Sequence, residues 1–225
     1  MKKNLKNAFL KPLLLLVIFV FLLSLFACTK EVNYSEYVSE LRSNIFLAET
    51  DEFSLRVYSV KKESPYSSDG IVQHCNERTE IYLVAPQGDK SCQISFTING
   101  TVYGGEMSFD NVKAEYYYFC PLNTSALSTL PIEISFGEKR MEFTAKSVLN
   151  ADTLPPFDVL SLLVNEEKDV FDSLTDKYGF AGEIHIRLIY EDSPYYYLGI
   201  IDRSGRITAF LINATSGKIL AKRKS

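Results

Sequence analysis

Histidine is scarce in this chain of 225 residues, and its scarcity argues against several kinds of active site. Only His74 and His185 are present, whereas a serine-hydrolase triad needs a histidine held between a serine and an acid. His185 alternates with apolar neighbours on a predicted strand, so we expect it at the surface or rim of a sheet. His74 directly precedes Cys75, and catalytic Cys–His pairs are usually distant in sequence. The pattern favours neither a serine nor a cysteine nucleophile.

Motifs that hold metals, nucleotides or sugars are also missing. Structural zinc usually takes four Cys or His ligands at paired spacings, and the four cysteines here are scattered. No phosphate-binding loop, dinucleotide fingerprint or calcium loop occurs. With 28 acidic residues, the presence of two carboxylates does not point to a glycosidase. The sequence therefore predicts no catalytic residue, no metal ligand and no cofactor.

Basic charge is also limited once the N-terminus is set aside. The chain has 24 basic and 28 acidic residues. The first 27 residues hold four of the basic ones and no acid, which leaves 20 against 28, a net charge of −8, for the rest. Nucleic-acid binding needs clustered Lys and Arg to displace counterions from phosphates. The composition argues against nucleic acid as a partner and predicts a soluble surface that repels polyanions.

The N-terminus has the layout of an export signal. Four lysines precede an almost wholly apolar run, 13–27, which fits the roughly 7–15 apolar residues of a signal core and is shorter than the roughly 20 residues of a usual membrane span. The run ends in Leu25-Phe26-Ala27-Cys28, which resembles the bacterial lipobox. That resemblance implies removal of residues 1–27 and a lipid on Cys28. An uncleaved membrane anchor is the alternative, and both interpretations place residues 29–225 outside the cytoplasm, at the membrane.

A change of hydrophobic period divides the next segment. Tyr37, Leu41, Ile45 and Ala48 recur at spacings of four and three, which predicts a helix over Tyr34–Glu49 within a tether region, 28–52. Residues 53–150 instead alternate with period two in about seven short runs, and Asn99-Gly100 marks a tight hairpin. This pattern predicts a β-sandwich. It resembles immunoglobulin-like modules in spacing, without the core tryptophan of antibody domains, because the chain contains no tryptophan.

The C-terminal segment is organised differently. Pro155 and Pro156 disfavour both helix and strand, and mark a boundary. Residues 157–225 are expected to form one or two helices followed by a three-stranded antiparallel meander, so the whole chain is mainly β with an α+β part. Its end, from Tyr197-Leu198-Gly199 to Gly217-Lys218-Ile219-Leu220, resembles PepSY-type modules. That resemblance implies a small extracytoplasmic domain that regulates or inhibits other proteins.

The cysteines beyond Cys28 are Cys75, Cys92 and Cys120, so at most one internal disulfide can form. Export favours oxidation. A Cys75–Cys92 bridge is the preferred pair because both residues flank the predicted strand Ile81–Ala85. Buried free thiols are the alternative.

Two tyrosine triplets, Tyr116–Tyr118 and Tyr195–Tyr197, are the most unusual feature of the sequence. On a strand the middle residue points away from the outer two. Tyr116, Tyr118, Tyr195 and Tyr197 are therefore a candidate partner surface, since tyrosine is enriched where proteins bind each other. The alternative is that neighbouring layers cover both faces.

These observations favour a membrane-anchored extracytoplasmic lipoprotein that binds an envelope protein or polymer without catalysis. An envelope hydrolase with a carboxylate site and a PepSY-like regulator or inhibitor are the alternatives.

Overall fold

The computed structural model describes residues 32–67, 69–86 and 91–225. The predicted signal segment, the lipobox and Cys28 lie outside the described residues. Residues Tyr34–Ser225 form one compact unit. In the described part of the chain, no helix combines the length and apolar character needed to cross a membrane.

The structure is mainly β. Its strands are β1 Val38–Glu49, β2 Ser54–Glu63, β3 Cys75–Val84, β4 Cys92–Ile98, β5 Thr101–Glu106, β6 Ser108–Asp110, β7 Glu115–Cys120, β8 Thr129–Phe136, β9 Lys139–Ser147, β10 Thr175–Asp176, β11 Gly179–Phe180, β12 Gly182–Tyr190, β13 Pro194–Asp202, β14 Ile207–Asn213 and β15 Ile219–Lys224. A 3-10 turn, Tyr34–Tyr37, precedes β1. The helices are α1, Pro156–Glu166, and α2, Lys168–Ser173.

The helix predicted over Tyr34–Glu49 is wrong, because the segment forms a 3-10 turn and the 12-residue strand β1. An apolar spacing of four fits a helical face and also the period of two in a strand, so the pattern was ambiguous. Pairing decides between them. Strand β1 pairs with β2 over nine registered positions and also with β12 and β9.

Strand β1 joins two sets of strands. The long set runs in the order β15-β14-β13-β12-β1-β2-β3-β7-β6, and the second runs from β1 through β9, β8 and β4 to β5. Only the β1–β12 pair is parallel among the pairings of the described residues. The predicted β-sandwich is confirmed, because both sets contribute inward residues to one apolar core.

The core lies between the two sets. Strands β2, β3 and β7 contribute Leu55, Val57, Ile81, Leu83 and Tyr116, and the second set contributes Ile94, Phe96, Ile132, Ile134 and Phe143. These residues are each 5% exposed or less. Their alternation with more exposed residues is the period of two that predicted the strands.

The hairpin predicted at Asn99-Gly100 is confirmed. Both residues have positive φ, 50° and 79°, and Ile98 pairs with Thr101 across the turn. Two central residues of positive φ match the right-handed twist of the flanking strands.

The C-terminal segment has the predicted helix-then-meander order, with a fourth strand beyond the expected three. Strands β12 to β15 are consecutive antiparallel neighbours. Val159, Leu163 and Phe171 of the helices are at most 1% exposed. Because β12 pairs with β1, the sheet is continuous across the boundary predicted at residues 155–156.

A buried asparagine fixes the point where β1 changes partners. The register shifts between Arg42 and Asn44, after the β12 pairing ends and before the β9 pairing begins at Phe46. The Asn44 side chain is fully buried. Its Nδ2 donates to the carbonyls of Ser125 and Leu127, both at 3.1 Å, and its Oδ1 accepts from the Ile45 amide and the Ser147 hydroxyl. One side chain thus joins β1, β9 and the connection before β8.

We expect Asn44→Ala to lower the free energy of unfolding by about 2–4 kcal/mol, because four hydrogen bonds are lost and two carbonyls lose their donor. Urea unfolding followed by circular dichroism measures it. The same substitution at Asn76, which is exposed on β3, is the control and should change stability by about 0.5 kcal/mol or less. Equal effects at the two positions would contradict the role assigned to Asn44.

Candidate functional site

One face of the long set of strands carries polar and aromatic side chains. On β2, Arg56 and Tyr58 alternate with the core residues Leu55 and Val57. On β12, Glu183, His185 and Arg187 alternate with Ile184, Ile186 and Leu188 in the same way. The registers of β3, β2, β1 and β12 place these residues on one continuous surface, which we call the polar face.

A shallow cavity lies on the polar face over β1, β2, β3 and β7. Its volume is about 490 Å³, and it is lined by Arg42, Arg56, Tyr58, Tyr82, Lys113 and Glu115. We call these six residues the arginine–tyrosine patch. The Arg42 guanidinium lies 4.2 Å from the centre of the Tyr58 ring, and that ring lies 5.6 Å from Tyr82. These distances suit cation–π and aromatic contacts.

Ion pairs hold the long side chains of this region in place. Glu115 accepts from Arg56 at 2.8 Å, and its side chain is 7% exposed. Beside the patch, Glu80 accepts from Lys62 at 2.9 Å and from Arg78 at 2.6 Å. Burial raises the pKa of Glu80, but the hydrogen bonds and charges of Lys62 and Arg78 outweigh it and lower that pKa below its ordinary value. Glu80 is therefore a fixed negative charge at neutral pH.

At its other end the polar face carries a buried cluster of charged and polar groups. Arg187 forms two hydrogen bonds to Glu40, at 2.8 and 2.6 Å. His185 lies between two carboxylates, with Nδ1 3.9 Å from Glu40 and Nε2 3.8 Å from Glu183. Burial lowers the pKa of His185 to about 4, an effect that Arg187 reinforces and Glu40 opposes. His185 is therefore neutral at pH 7.

The connection between β2 and β3 covers this cluster. The Tyr66 hydroxyl donates to Glu183 Oε1 at 3.0 Å, and the Tyr66 ring lies 5.4 Å from the His185 ring. The Gln73 amide donates to Glu63 Oε1. Burial, with Glu63 and Asp69 nearby, raises the pKa of Glu183, and the hydrogen bond from Tyr66 opposes this rise. The buried acids thus serve as acceptors that hold the connection.

This cluster does not offer a substrate site. Glu183 is 0% and His185 is 6% exposed. A general acid or base must reach the proton that it transfers. Within residues 32–67, 69–86 and 91–225, no group of three or more His, Cys, Asp or Glu could hold a metal ion.

A second groove lies between α2 and strands β13 to β15. Its volume is about 640 Å³, and its walls carry Glu167, Asp169, Asp202, Arg206, Lys222 and Lys224. Arg206 pairs with Asp202 at 2.8 Å, and Lys222 pairs with Glu167. Charges of both signs are therefore largely matched within the wall, which leaves no net sign to select a ligand.

The tyrosines of the predicted partner surface divide between two environments. Tyr116 is 2% exposed in the core, and Tyr118 packs against that core and donates to the Gly104 carbonyl at 3.0 Å. The prediction that Tyr116 belongs to a partner surface is therefore wrong, because a buried ring cannot contact a partner. In the second triplet the middle residue Tyr196 is buried, whereas Tyr195 and Tyr197 are partly exposed. The two triplets have opposite phase because the core lies under different members of each.

The cysteines are free thiols in the structure. Cys75, Cys92 and Cys120 form no disulfide. The structure therefore has free thiols in place of the predicted Cys75–Cys92 bridge. Cys92 is fully buried with its sulfur 3.5 Å from that of Met107, and burial raises its pKa to about 11. Cys75 lies with its sulfur 3.5 Å from the Ser39 carbonyl.

The sequence interpretation missed the arginine–tyrosine patch. Its β2 members were visible as the outward positions of an alternating strand, Arg56 and Tyr58, and Tyr82 follows the same rule on β3. Arg42 was not identifiable, because its segment was taken as a helix.

Searches against models of known families, curated proteins and solved structures find no match for this chain.

The pKa of about 4 for His185 predicts a specific pH dependence. The folded-state pKa lies below the ordinary value of 6.5, so His185 contributes stability above pH 6.5 that is lost as the pH falls towards 4. Histidine NMR signals should give a midpoint near 4, assigned by their loss in His185→Gln. Glu183, with its raised pKa, changes the unfolding free energy with pH in the opposite direction. Comparing unfolding free energies of wild type and His185→Gln across this range isolates the histidine, and a midpoint near 6.5 would contradict the prediction.

Proposed function

We propose that this protein is a non-enzymatic binding protein, held by a lipid on Cys28 at the outer side of a membrane, that engages an envelope component through the arginine–tyrosine patch. The observation that carries the proposal is the shallow cavity of about 490 Å³ on an open sheet face, lined by two arginines and two tyrosines. Arginine and tyrosine are among the residues most enriched at binding surfaces.

The form of the patch favours binding over catalysis. Glu115 of the patch and Glu80 beside it are engaged in ion pairs with neighbouring cations, and the histidine of the polar face is buried away from the patch. The Arg42 guanidinium lies over the Tyr58 ring, 4.2 Å from its centre, and a positive charge held against an aromatic ring can also attract an anionic ligand group.

Binding through the patch is tested with residues 32–225, which contain the compact unit Tyr34–Ser225 and its core. We expect this fragment to co-sediment with isolated envelopes of the source organism. The double variant Arg42→Gln/Arg56→Gln should bind at least about tenfold more weakly, because two charge-assisted contacts of about 1 kcal/mol or more are lost. The fraction pelleted at increasing envelope concentration measures it.

The matched control is Arg140→Gln, which removes an exposed arginine that pairs with Glu133 on the second set of strands. It should sediment like wild type. All three proteins should show the same thermal unfolding midpoint within about 4 °C, the shift expected of about 1 kcal/mol. Equal binding by wild type and the double variant would reject the patch as the binding surface.

The anchor is tested separately by Cys28→Ser in the full chain. We expect wild type to incorporate radiolabelled palmitate and to lose residues 1–27, and we expect the variant to do neither. Cys75→Ser, a control at another free thiol, should be labelled like wild type. An unlabelled wild type that fractionates with membranes at full length would instead establish the uncleaved anchor.

The two other sequence-based candidates find less support. A carboxylate hydrolase would need an accessible acid of raised pKa, and Glu183, whose pKa is raised, is covered by Tyr66. A PepSY-like regulator acting through residues 157–225 rests on the turn pattern of the last strands. Deleting that segment also removes β12, the neighbour of β1, so such a deletion would not separate regulation from folding.

A further inference from the structure

The charge around the arginine–tyrosine patch is opposite in sign to that of the chain. Around the patch, Glu80 and Glu115 are surrounded by five cations, namely Arg42, Arg56, Lys62, Arg78 and Lys113. The local net charge is therefore +3, whereas residues 28–225 as a whole carry −8. Two carboxylates cannot neutralise five cations, so this surface attracts an anionic ligand.

A ladder of aromatic rings crosses the same surface. Tyr58 lies 5.6 Å from Tyr82, and Tyr82 lies 6.1 Å from Phe119. Tyr117 continues the ladder at 5.2 Å from Phe119, which is 44% exposed. These rings belong to the adjacent strands β2, β3 and β7. Because neighbouring strands are about 4.8 Å apart, the ladder offers ring contacts along a line of about 10 Å.

Cations lie beside these rings. The guanidinium of Arg42 lies 4.2 Å from the Tyr58 ring and that of Arg78 lies 5.2 Å from the Phe119 ring. The Lys113 ammonium lies 5.9 Å from the Tyr82 ring. A ligand that lies along the ladder therefore meets apolar ring surface and positive charge at each step.

We propose that the arginine–tyrosine patch binds an acidic polysaccharide, a chain of sugar rings that carry carboxylate or phosphate groups; this inference rests on the proposed function. Sugar rings have apolar C–H faces that pack on aromatic rings, and their acidic groups accept from guanidinium and ammonium donors. An extended polymer fits an open, shallow surface that spans several strands.

Other anionic macromolecules use this combination less completely. An acidic peptide would pair with the cations but would leave the ring ladder without a planar partner. Single-stranded nucleic acid would use both rings and cations. The proposed function, however, places the patch outside the cytoplasm at the envelope, so an oligonucleotide is included in the test as the competing occupant.

The test measures binding of residues 32–225 to four anionic probes and one neutral glycan by affinity electrophoresis or calorimetry. Polygalacturonate and phosphomannan supply acidic sugars with carboxylate and phosphate groups respectively, and poly-glutamate supplies the same charge without sugar rings. Oligo-deoxythymidine supplies phosphates and bases. We expect at least one acidic glycan to bind about tenfold or more tightly than poly-glutamate and oligo-deoxythymidine. Neutral dextran should bind more weakly than the acidic glycan that binds most tightly.

Two variants assign that binding to the patch. Arg42→Gln/Arg56→Gln should weaken binding to the acidic glycan about tenfold or more. Raising the salt concentration should also weaken binding of the glycan to the wild-type protein, because salt screens the charges of the patch. Arg140→Gln should bind like wild type. Replacing Phe119, the most exposed ring of the ladder, with Leu should weaken glycan binding and leave weak poly-glutamate binding unchanged.

The outcomes separate this inference from the proposed function. If the fragment sediments with envelopes in a patch-dependent way but binds neither acidic glycan, the binding function stands and the polysaccharide is rejected. Tighter binding of poly-glutamate would identify an acidic protein instead, and tighter binding of oligo-deoxythymidine would identify a nucleic acid. If neither envelopes nor any probe binds, both proposals are rejected.

Discussion

The architecture depends on one strand having two partners on the same edge. Strand β1 gives its first half to β12 and its end to β9, while β2 occupies its other edge throughout. Such a change leaves backbone groups near the junction without ladder partners, and buried groups of that kind must be satisfied. Asn44 does this at the shift in register, where it bonds to four groups of β1, β9 and the connection before β8.

The polar face exists because of that junction. Strand β2 brings Arg56 and Tyr58, and β12 brings Arg187 and His185, but only β1 lies between them. The Glu40–Arg187 pair crosses the β1–β12 contact directly. A β-sandwich and a helix–meander unit without this strand would each end in an open edge. Pairing both to β1 covers the edges and makes their outward residues one surface.

Local pattern predicted most of this fold, and the exceptions have physical causes. The alternating runs and the Asn99-Gly100 turn specify strands and a hairpin through neighbouring residues alone, so they were readable. Strand β1 was not, because spacings of four fit both periods and its structure is decided by strands as distant as β12. The tyrosine triplets show the same limit. The alternation of side chains along a strand determines which tyrosines of a triplet lie on the same face. Which of the two faces is buried depends on the layer that packs against the strand.

The arginine–tyrosine patch shows why net charge is a poor guide to what a β-protein binds. The net charge of −8 on the residues beyond the predicted signal argued against every polyanion as a ligand. That argument assumes that the charges are spread evenly over the surface. Alternate residues of a strand point to opposite faces of the sheet. Arg42, Arg56 and Arg78, which are distant in sequence, therefore lie on one face when their strands pair. Exposed charges that are farther apart than the screening length of about 8–10 Å at physiological salt interact weakly, so acids on other faces of the molecule contribute less to the local field. The sign that a ligand meets is therefore that of the face, and the argument against polyanions applies only to surfaces without such sorting.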